Sequence, residues 1–466
     1  MQRTVQWWQR WLGFIFLTVF AGFWRQMPGL IGPAGIAPAT EYLRVLRTNF
    51  GLWHRLWLAP SLFWFGSGGA AIHVVAAVGV VASLLLMGRV FPRASLGACM
   101  VCFLSFIATA QVFASYQSDG MLMSAAFVGL FLDDRAPGRA AVWATRWLWF
   151  TIYFGSGVAK LASGDPEWRH LTALDHYYEN GPLPTWIGWY AQQYTPHWVN
   201  AVTVVAVLVL ELGVAWICFG PRRARIACFW IATLFQIAII ATSNYGFLNW
   251  LVLGLGLALI DDRHIAWLLR RPAVASAAPL QPWLARPAAL AILGAWFLLT
   301  AANLAQRVMP RFPAPSAVSN AVAQFRIADP FGLFAVMTRE RYELEFQGSA
   351  DGEHWVAYPF RFKPQEPERA PGIYGPYQPR FDWNLWFASL DNYQNNPWIE
   401  EAEVRLLAND PAVLHLFAGN PFAGAAPRAV RVVLWQYWFA TPEQKRTEGV
   451  WWTRHELGLY APELAR

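Results

Sequence analysis

The chain has 466 residues, 56% of them hydrophobic and only 14% charged, and a mean hydropathy of +0.29. Soluble domains carry about a quarter charged residues, so this composition excludes a disordered chain, a coiled coil and a nucleic-acid-binding arm. At roughly 150 residues per domain as a soft prior, there is room for a polytopic membrane domain and one globular domain.

A transmembrane helix needs roughly 20 mostly apolar residues. In chain order the candidates are 10–24, 70–88, 96–115, 121–132, 142–161, 199–219, 225–242, 246–260 and 285–303. Nine spans is the expectation. Seven is the alternative, because the short segments 10–24, 121–132 and 246–260 read equally as tilted neighbours, half-helices or a re-entrant hairpin. Arg3 and Arg10 before an apolar stretch, with Ala37-Pro38-Ala39 beyond it, also resemble a secretory signal peptide. The stretch is rich in Trp and Phe and the cleavage-like site lies well past its end, so a retained signal anchor is the better reading.

The net charge is +7, carried by 33 Arg and three Lys (Lys160, Lys363 and Lys445). No basic run tracks a nucleic-acid backbone, so no nucleic-acid partner is expected. The Arg- and Ala-rich usage points to a GC-rich bacterial genome. With nine spans, Arg3/Arg10, Arg89/Arg93, Arg135/Arg139, Arg222/Arg223/Arg225 and Arg263/Arg270/Arg271 fall on one side. The short connections opposite, Ser115–Gly120 and Ser243–Gly246, have no Lys or Arg. The positive-inside rule then places the N-terminus in the cytoplasm and the C-terminal region across the membrane, in the periplasm of a bacterium. All four cysteines, Cys99, Cys102, Cys218 and Cys228, lie in apolar segments. Cys99-x-x-Cys102 spells a redox motif, but thiolate chemistry needs an accessible electropositive setting, so a structural role is expected.

The domain expectation is a membrane domain over 1–303 with long outer connections 25–69 and 162–198, a linker over 304–328, and a β-rich α+β domain over 329–466. Tyr342–Gln347 and His354–Arg361 alternate polar and apolar residues around the turn Ser349-Ala350-Asp351-Gly352, which reads as a hairpin. Segments 429–439 and 450–457 read as two more strands, and Pro397–Asn409 with Pro411–Phe417 as helical. Tyr374–Leu390 is dense in aromatics, Pro and Gly. Its Tyr374, Tyr377, Arg380, Trp383, Trp386 and Phe387 either pack the domain on the membrane surface or form a groove for a client polypeptide, since Trp, Tyr and Arg dominate binding hot spots.

No hydrolase elbow, phosphate loop, zinc-spaced His/Cys set or dinucleotide fingerprint is present, so neither metal nor cofactor is expected. Lys160, the first lysine of the chain, ends an apolar segment just before Asp165, Trp168 and His170. Such a lysine snorkels, or makes a structural ion pair, or acts as a base if desolvation lowers its pKa. The loop Asp165–Pro184 gathers Asp165, Glu167, His170, Asp175, His176 and Glu179, with His176 and Glu179 at i, i+3. Mixed ligand types without tight spacing make a hydrogen-bonded loop the simpler reading. Glu211 lies inside a span, where an acidic side chain faces a partner or a cavity; Arg146, Gln236 and Asn249 are the candidates.

Taken in order, Gly29–Thr40, Lys160–Pro184, Glu211–Arg223, Phe235–Leu248, Asp261-Asp262, Phe331–Glu345, Phe362–Pro364, Pro367–Arg369, Pro376–Leu390, Asn396–Asp410, Asn420–Phe422 and Trp451–Tyr460 resemble the lipase maturation factor family. The resemblance implies a multi-span protein that helps secreted lipases reach an active, assembled state. In eukaryotic relatives it implies the endoplasmic reticulum membrane with the C-terminal domain in the lumen. It makes Asp175, His176, Tyr178 and Glu179 an outer-loop motif. Here that loop reads His176-Tyr177-Tyr178-Glu179 and then Asn-Gly-Pro, departing from the family's order, and Val207-Leu208 replace an Asn-His pair upstream of Glu211. Gly157 to Leu161 with Trp168 is also similar, over a short stretch, to the vitamin K-dependent γ-carboxylase-like membrane proteins, where the matching lysine is catalytic. That implies a rival: an intramembrane enzyme with Lys160 as base, helped by His170 or Glu211, on a lipid or quinone-like molecule. A transporter is the weakest reading, because no inverted repeat is visible.

Overall fold

The computed structural model describes residues 1–133, 137–270, 287–313 and 315–466. Arg135 and Arg271 of the topology expectation, the first two residues of span 285–303, and Ala314 of the linker lie outside the described residues.

Helix α1 (Gln2–Ile31) buries Trp8, Leu12, Phe16, Phe20, Phe23 and Met27, a row at mostly i, i+4 spacing that turns one face to the core. The connection after it folds as α2 (Ala39–Asn49) and α3 (Leu52–Leu58). The bundle continues with α4 (Gly69–Gly88), which packs along α1, then α5 (Pro92–Ile107), α6 (Gln117–Gly129) and α7 (Arg139–Ala162). The second long connection forms α8 (Pro166–Arg169), α9 (Ala173–Asn180) and α10 (Trp186–Tyr194). Then come α11 (His197–Leu212), α12 (Arg222–Thr242), α13 (Leu248–Leu255), α14 (Asp262–Leu268) and α15 (Pro287–Val308).

Among the described residues, five helices are long and apolar enough to cross a membrane: Gln2–Ile31, Gly69–Gly88, His197–Phe219, Arg222–Thr242 and Pro287–Val308. The other expected spans also fall on helices, but α5 has 16 residues, α6 has 13, and Leu248–Leu259 is interrupted by a 3-10 turn. At 1.5 Å per residue, α6 reaches about 20 Å, short of a hydrocarbon core of about 30 Å. Helix α7 has the length, 24 residues, but carries Arg146 and Lys160.

The bundle has two distinct ends. At one, the N-terminal ammonium lies 2.8 Å from Asp262, Arg222 pairs with Asp261, and Arg93 lies 3.1 Å from Asp133. The C-terminal region covers the other. It comprises α16 (Ser316–Ala323), β1 (Arg341–Ser349), β2 (Trp355–Ala357), α17 (Arg380–Ser389), α18 (Trp398–Leu407), α19 (Pro411–Leu414), β3 (Ala429–Phe439), α20 (Pro442–Glu448) and β4 (Trp452–Ala465). The strands form one antiparallel sheet in the order β2-β1-β3-β4, with Leu344 opposite Leu434. The predicted hairpin is present: Gly352 takes a φ of +89°, and the Ser349 hydroxyl and Asp351 carboxylate accept the turn's N–H groups. The second strand is shorter than its alternation suggests, and β4 runs past the predicted end at 457.

The polar and apolar residues that alternate in β1 are nearly all buried. Phe346 packs against Phe381 and Phe417 on the apolar side. The polar side pairs Glu343 with Lys363 at 2.7 Å, and Arg341 donates to the Glu179 carbonyl (2.9 Å) and the Pro182 carbonyl (3.2 Å) of the second long connection. The polar face is therefore docked rather than solvated. Residues 326–338 are held against the bundle. Ser124 and Trp296 donate to the Ile327 carbonyl (2.9 and 2.7 Å), Trp168 to the Phe334 carbonyl (3.0 Å), and the Met337 N–H to Asp165 (2.6 Å). The opening residues of the expected C-terminal domain thus pack on the helical bundle, and one apolar core runs through both regions.

Candidate functional site

Lys160 sits near the C-terminal end of α7 and is 2% exposed. Its Nζ donates to both oxygens of Glu211 (2.9 and 2.8 Å) and to the Leu333 carbonyl (3.1 Å), and it lies 5.0 Å from the Trp168 ring centre. Gly157, one turn earlier, makes the pair possible: a Cβ there would come within 2.9 Å of the Glu211 Cβ. An ammonium has three donors and all three are engaged, so this geometry gives no support to Lys160 as a base. The three partners named for Glu211 are occupied elsewhere. Arg146 donates to the Ala258 carbonyl (3.1 Å), while Gln236 donates to Tyr153 (2.8 Å) and accepts from Asn249 (2.7 Å). Sequence reading missed the true pairing because Lys160 and Glu211 stand 51 residues apart on different helices.

His170 is exposed and does not line the space around Lys160. The residues of α9 diverge instead of sharing a ligand. Asp175 accepts from His197 (2.7 Å) and Asn200 (2.8 Å), and His176 lies 3.8 Å from Glu167. Glu179 accepts the Phe439 N–H at 3.0 Å, tying the connection to β3. Burial raises the Glu179 carboxyl to about 6, against the lowering pull of the Phe439 N–H and Arg341. Among the described residues no group of three or more His, Cys, Asp or Glu is placed to hold a metal ion.

The six residues expected along a client groove separate into three locations. Arg380 is buried and donates to both Asp119 oxygens (2.9 and 2.6 Å) and to the Phe113 carbonyl (2.7 Å), so it anchors the C-terminal region to the bundle. Tyr374 and Tyr377 pack on Phe362, with ring centres 5.0 and 5.2 Å away. Nearby, Asp382 accepts the N–H groups of Phe362 and Lys363 (both 3.2 Å), and burial lifts its carboxyl to about 6. Trp383, Trp386 and Phe387 line a chamber of about 680 Å3, within the roughly 300–1,000 Å3 of ligand pockets. Its other walls come from the start of α6, the end of α9, Tyr245 and segment 332–338. Trp383 and Trp386 are largely buried, whereas Phe387, Val112 and Val336 are exposed at its mouth.

Gln26, Asp119 and Asn244 were not singled out from sequence, yet they hold the site together. Gln26 accepts the Arg380 N–H (2.7 Å) and donates to the Gln378 carbonyl (2.9 Å). Asn244 accepts the Tyr374 N–H (2.7 Å) and donates to the Gly372 carbonyl (2.9 Å). The available signal was a carboxylate and two amides in otherwise apolar or short connecting segments.

Residues 3–267 match the family model described as the lipase maturation factor transmembrane domain, and residues 327–462 match the lipase maturation factor C-terminal domain. The chain is 31% identical to lipase maturation factor 1 of Bos taurus, over 98% of its own length and 88% of that protein. It is 29% identical to lipase maturation factor 2 of Homo sapiens, over 97% of the chain and 81% of the relative. No solved structure matches the chain.

Proposed function

Since the chain belongs to the lipase maturation factor family, we propose that it is a membrane-anchored folding factor bringing exported lipases to their active, assembled state. The observation that carries this reading is similarity through both halves, in the same order, over 98% of the chain. As an integral membrane protein it holds its C-terminal region at a fixed place beside the bilayer. A client emerging there exposes apolar surface and unpaired strand edges before it is folded, the condition most prone to aggregation.

We read the arginine-bearing end of the bundle as lying in the cytoplasm of a bacterial inner membrane and the sheet in the periplasm. The Arg93, Arg222 and N-terminal ion pairs at one end support this orientation, because basic residues favour the cytoplasmic side. The client-contacting surface is the mouth of the 680 Å3 chamber, where Phe387 is 46% and Val336 69% exposed. His176 lies on its rim. Holding a client uses binding energy alone, so the reading requires no cofactor and no metal.

Deletion of the gene in its host, with secreted lipase measured by both activity and amount, tests the function. The expected result is lipase that is present but roughly tenfold less active per molecule, the scale of ~1.4 kcal/mol of lost preference for the native state. The wild-type chain restores it; a Val336→Ser/Phe387→Ser variant of normal abundance does not. Unchanged lipase activity in the deletion strain would overturn the proposal.

A further inference from the structure

The chamber lined by Trp383, Trp386 and Phe387 is not a closed pocket of the C-terminal region. It shares Tyr177, Leu248, Leu333, Phe334 and Met337 with a second, narrower chamber of about 140 Å3 that reaches into the helical bundle beside the Lys160–Glu211 pair. The narrower chamber lies between α11 and α12. Helix α11 itself barely touches α12, which packs instead on the turn Val214–Phe219 that follows α11 and on α10 and α13, while α11 packs on α7 and α9. Thr203 of α11 and Ala238 of α12 both line the inner chamber and are both exposed on the outside of the bundle, so they form the two lips of a lateral opening. Val202, Leu234 and Ile237 around those lips are exposed too.

A gap between two membrane-crossing helices is filled by whatever surrounds them. In the bilayer core that is hydrocarbon, because no water is present to occupy an apolar slot. The outer chamber has a different character. It sits where helices end and connections begin, at the start of α6, the end of α9 and the Tyr245 turn, and it is walled by Trp and Tyr. Such rings favour the membrane interface, with an apolar body and one polar tip.

From this continuity we infer that the two chambers bind one phospholipid of the surrounding bilayer. Part of one acyl chain enters laterally between Thr203 and Ala238 and fills the inner chamber. Its ester region reaches the outer chamber, where it lies against the Trp383, Trp386 and Phe387 rings. This site is independent of which client the protein serves. Bound there, the lipid is part of the wall below the mouth that Val336 and Phe387 form.

The test uses the full chain reconstituted in vesicles of phosphatidylethanolamine and phosphatidylglycerol. The vesicles carry a trace of phosphatidylethanolamine with a photoreactive diazirine on one acyl chain. After irradiation, label is expected on the peptides containing Phe334–Met337 and Trp383–Phe387. Ala238→Trp and, from the opposite lip, Thr203→Trp should each cut that label by about tenfold. Val205→Trp, equally exposed on α11 but outside both chambers, should leave it unchanged. Label confined to the outer faces of the helices, or chamber label indifferent to both lip variants, overturns the inference. Chamber labelling by a diazirine fatty acid but not by the phospholipid overturns the choice of ligand. No lipase enters the experiment, so its failure and failure of the maturation proposal are separate results.

Discussion

A lysine and a glutamate, each of which read from sequence as a separate oddity, are one buried ion pair. Lys160 and Glu211 are 2% and 6% exposed at the side chain. Removing one partner leaves the other charge buried and unpaired, a cost of about 3–5 kcal/mol, whereas replacing both with apolar side chains of similar volume is near neutral. Lys160→Met should therefore lower the thermal transition of the detergent-solubilised protein strongly, and Lys160→Met/Glu211→Leu should recover most of the loss. If the double variant also matures clients normally, Lys160 is structural; a double variant that is stable and inactive would reopen a chemical role. Glu403 offers a second test at this scale. Both of its carboxylate oxygens are buried without partners, and burial, reinforced by Glu400, raises it from 4.5 to about 8. Folding thus takes up a proton between those two values, because the unfolded chain is ionised there and the folded chain is not. Stability attributable to this group falls as pH rises from about 4.5 to about 8 and levels off above. Glu403→Gln should flatten that dependence, so thermal transitions of the two proteins should diverge increasingly toward pH 8.

Individual elements differ in how far local sequence reveals them. The hairpin turn was legible because Ser349, Asp351 and Gly352 are turn chemistry with a local mechanism. Span positions were legible because apolar runs announce themselves, although their lengths were not: α1 continues through Pro28 to Ile31, well past the predicted end at residue 24. The aromatic segment around Trp383 read ambiguously because aromatics serve packing and binding alike. In the fold it forms helix α17, with Arg380 and Phe381 turned into the core and Phe387 outward. Close approach between elements was invisible too. Gly157 admits Glu211 of α11 against α7, so Gly157→Ala forces the two helices apart. Overpacking of this kind costs about 1–3 kcal/mol, and the variant should show a lower thermal transition than Gly294→Ala, where an added Cβ meets nothing within 4 Å.

At the level of the whole molecule, the bundle and the C-terminal region are joined by buried polar contacts more than by a tether. Arg380 on Asp119, Gln26 on residues 378 and 380, Asn244 on residues 372 and 374, and Arg341 on the connection at 179–182 all cross the junction. Asp119→Asn keeps the shape but leaves the Arg380 guanidinium buried without its counter-charge, a loss of about 3–5 kcal/mol. The expected outcome is faster release of the C-terminal region in limited proteolysis of the full chain, with Asp351→Asn, on the exposed hairpin turn, cleaved at the wild-type rate. Equal rates for the two variants would mean that the junction is held elsewhere.

The sequence by itself determined that this chain enters a membrane, that a sheet follows the helices, and which family it belongs to. Hydropathy, alternation and turn residues are local properties, and a motif order is carried along the chain. Only the tertiary structure decided that Lys160 meets Glu211, that Arg380 is buried against Asp119, that segment 326–338 lies on the bundle, and that the narrower chamber lies between α11 and α12. Those outcomes depend on which buried charges find each other across more than 50 residues and on how closely two backbones approach. Burial and distance are set by packing, and packing is not written in any one segment.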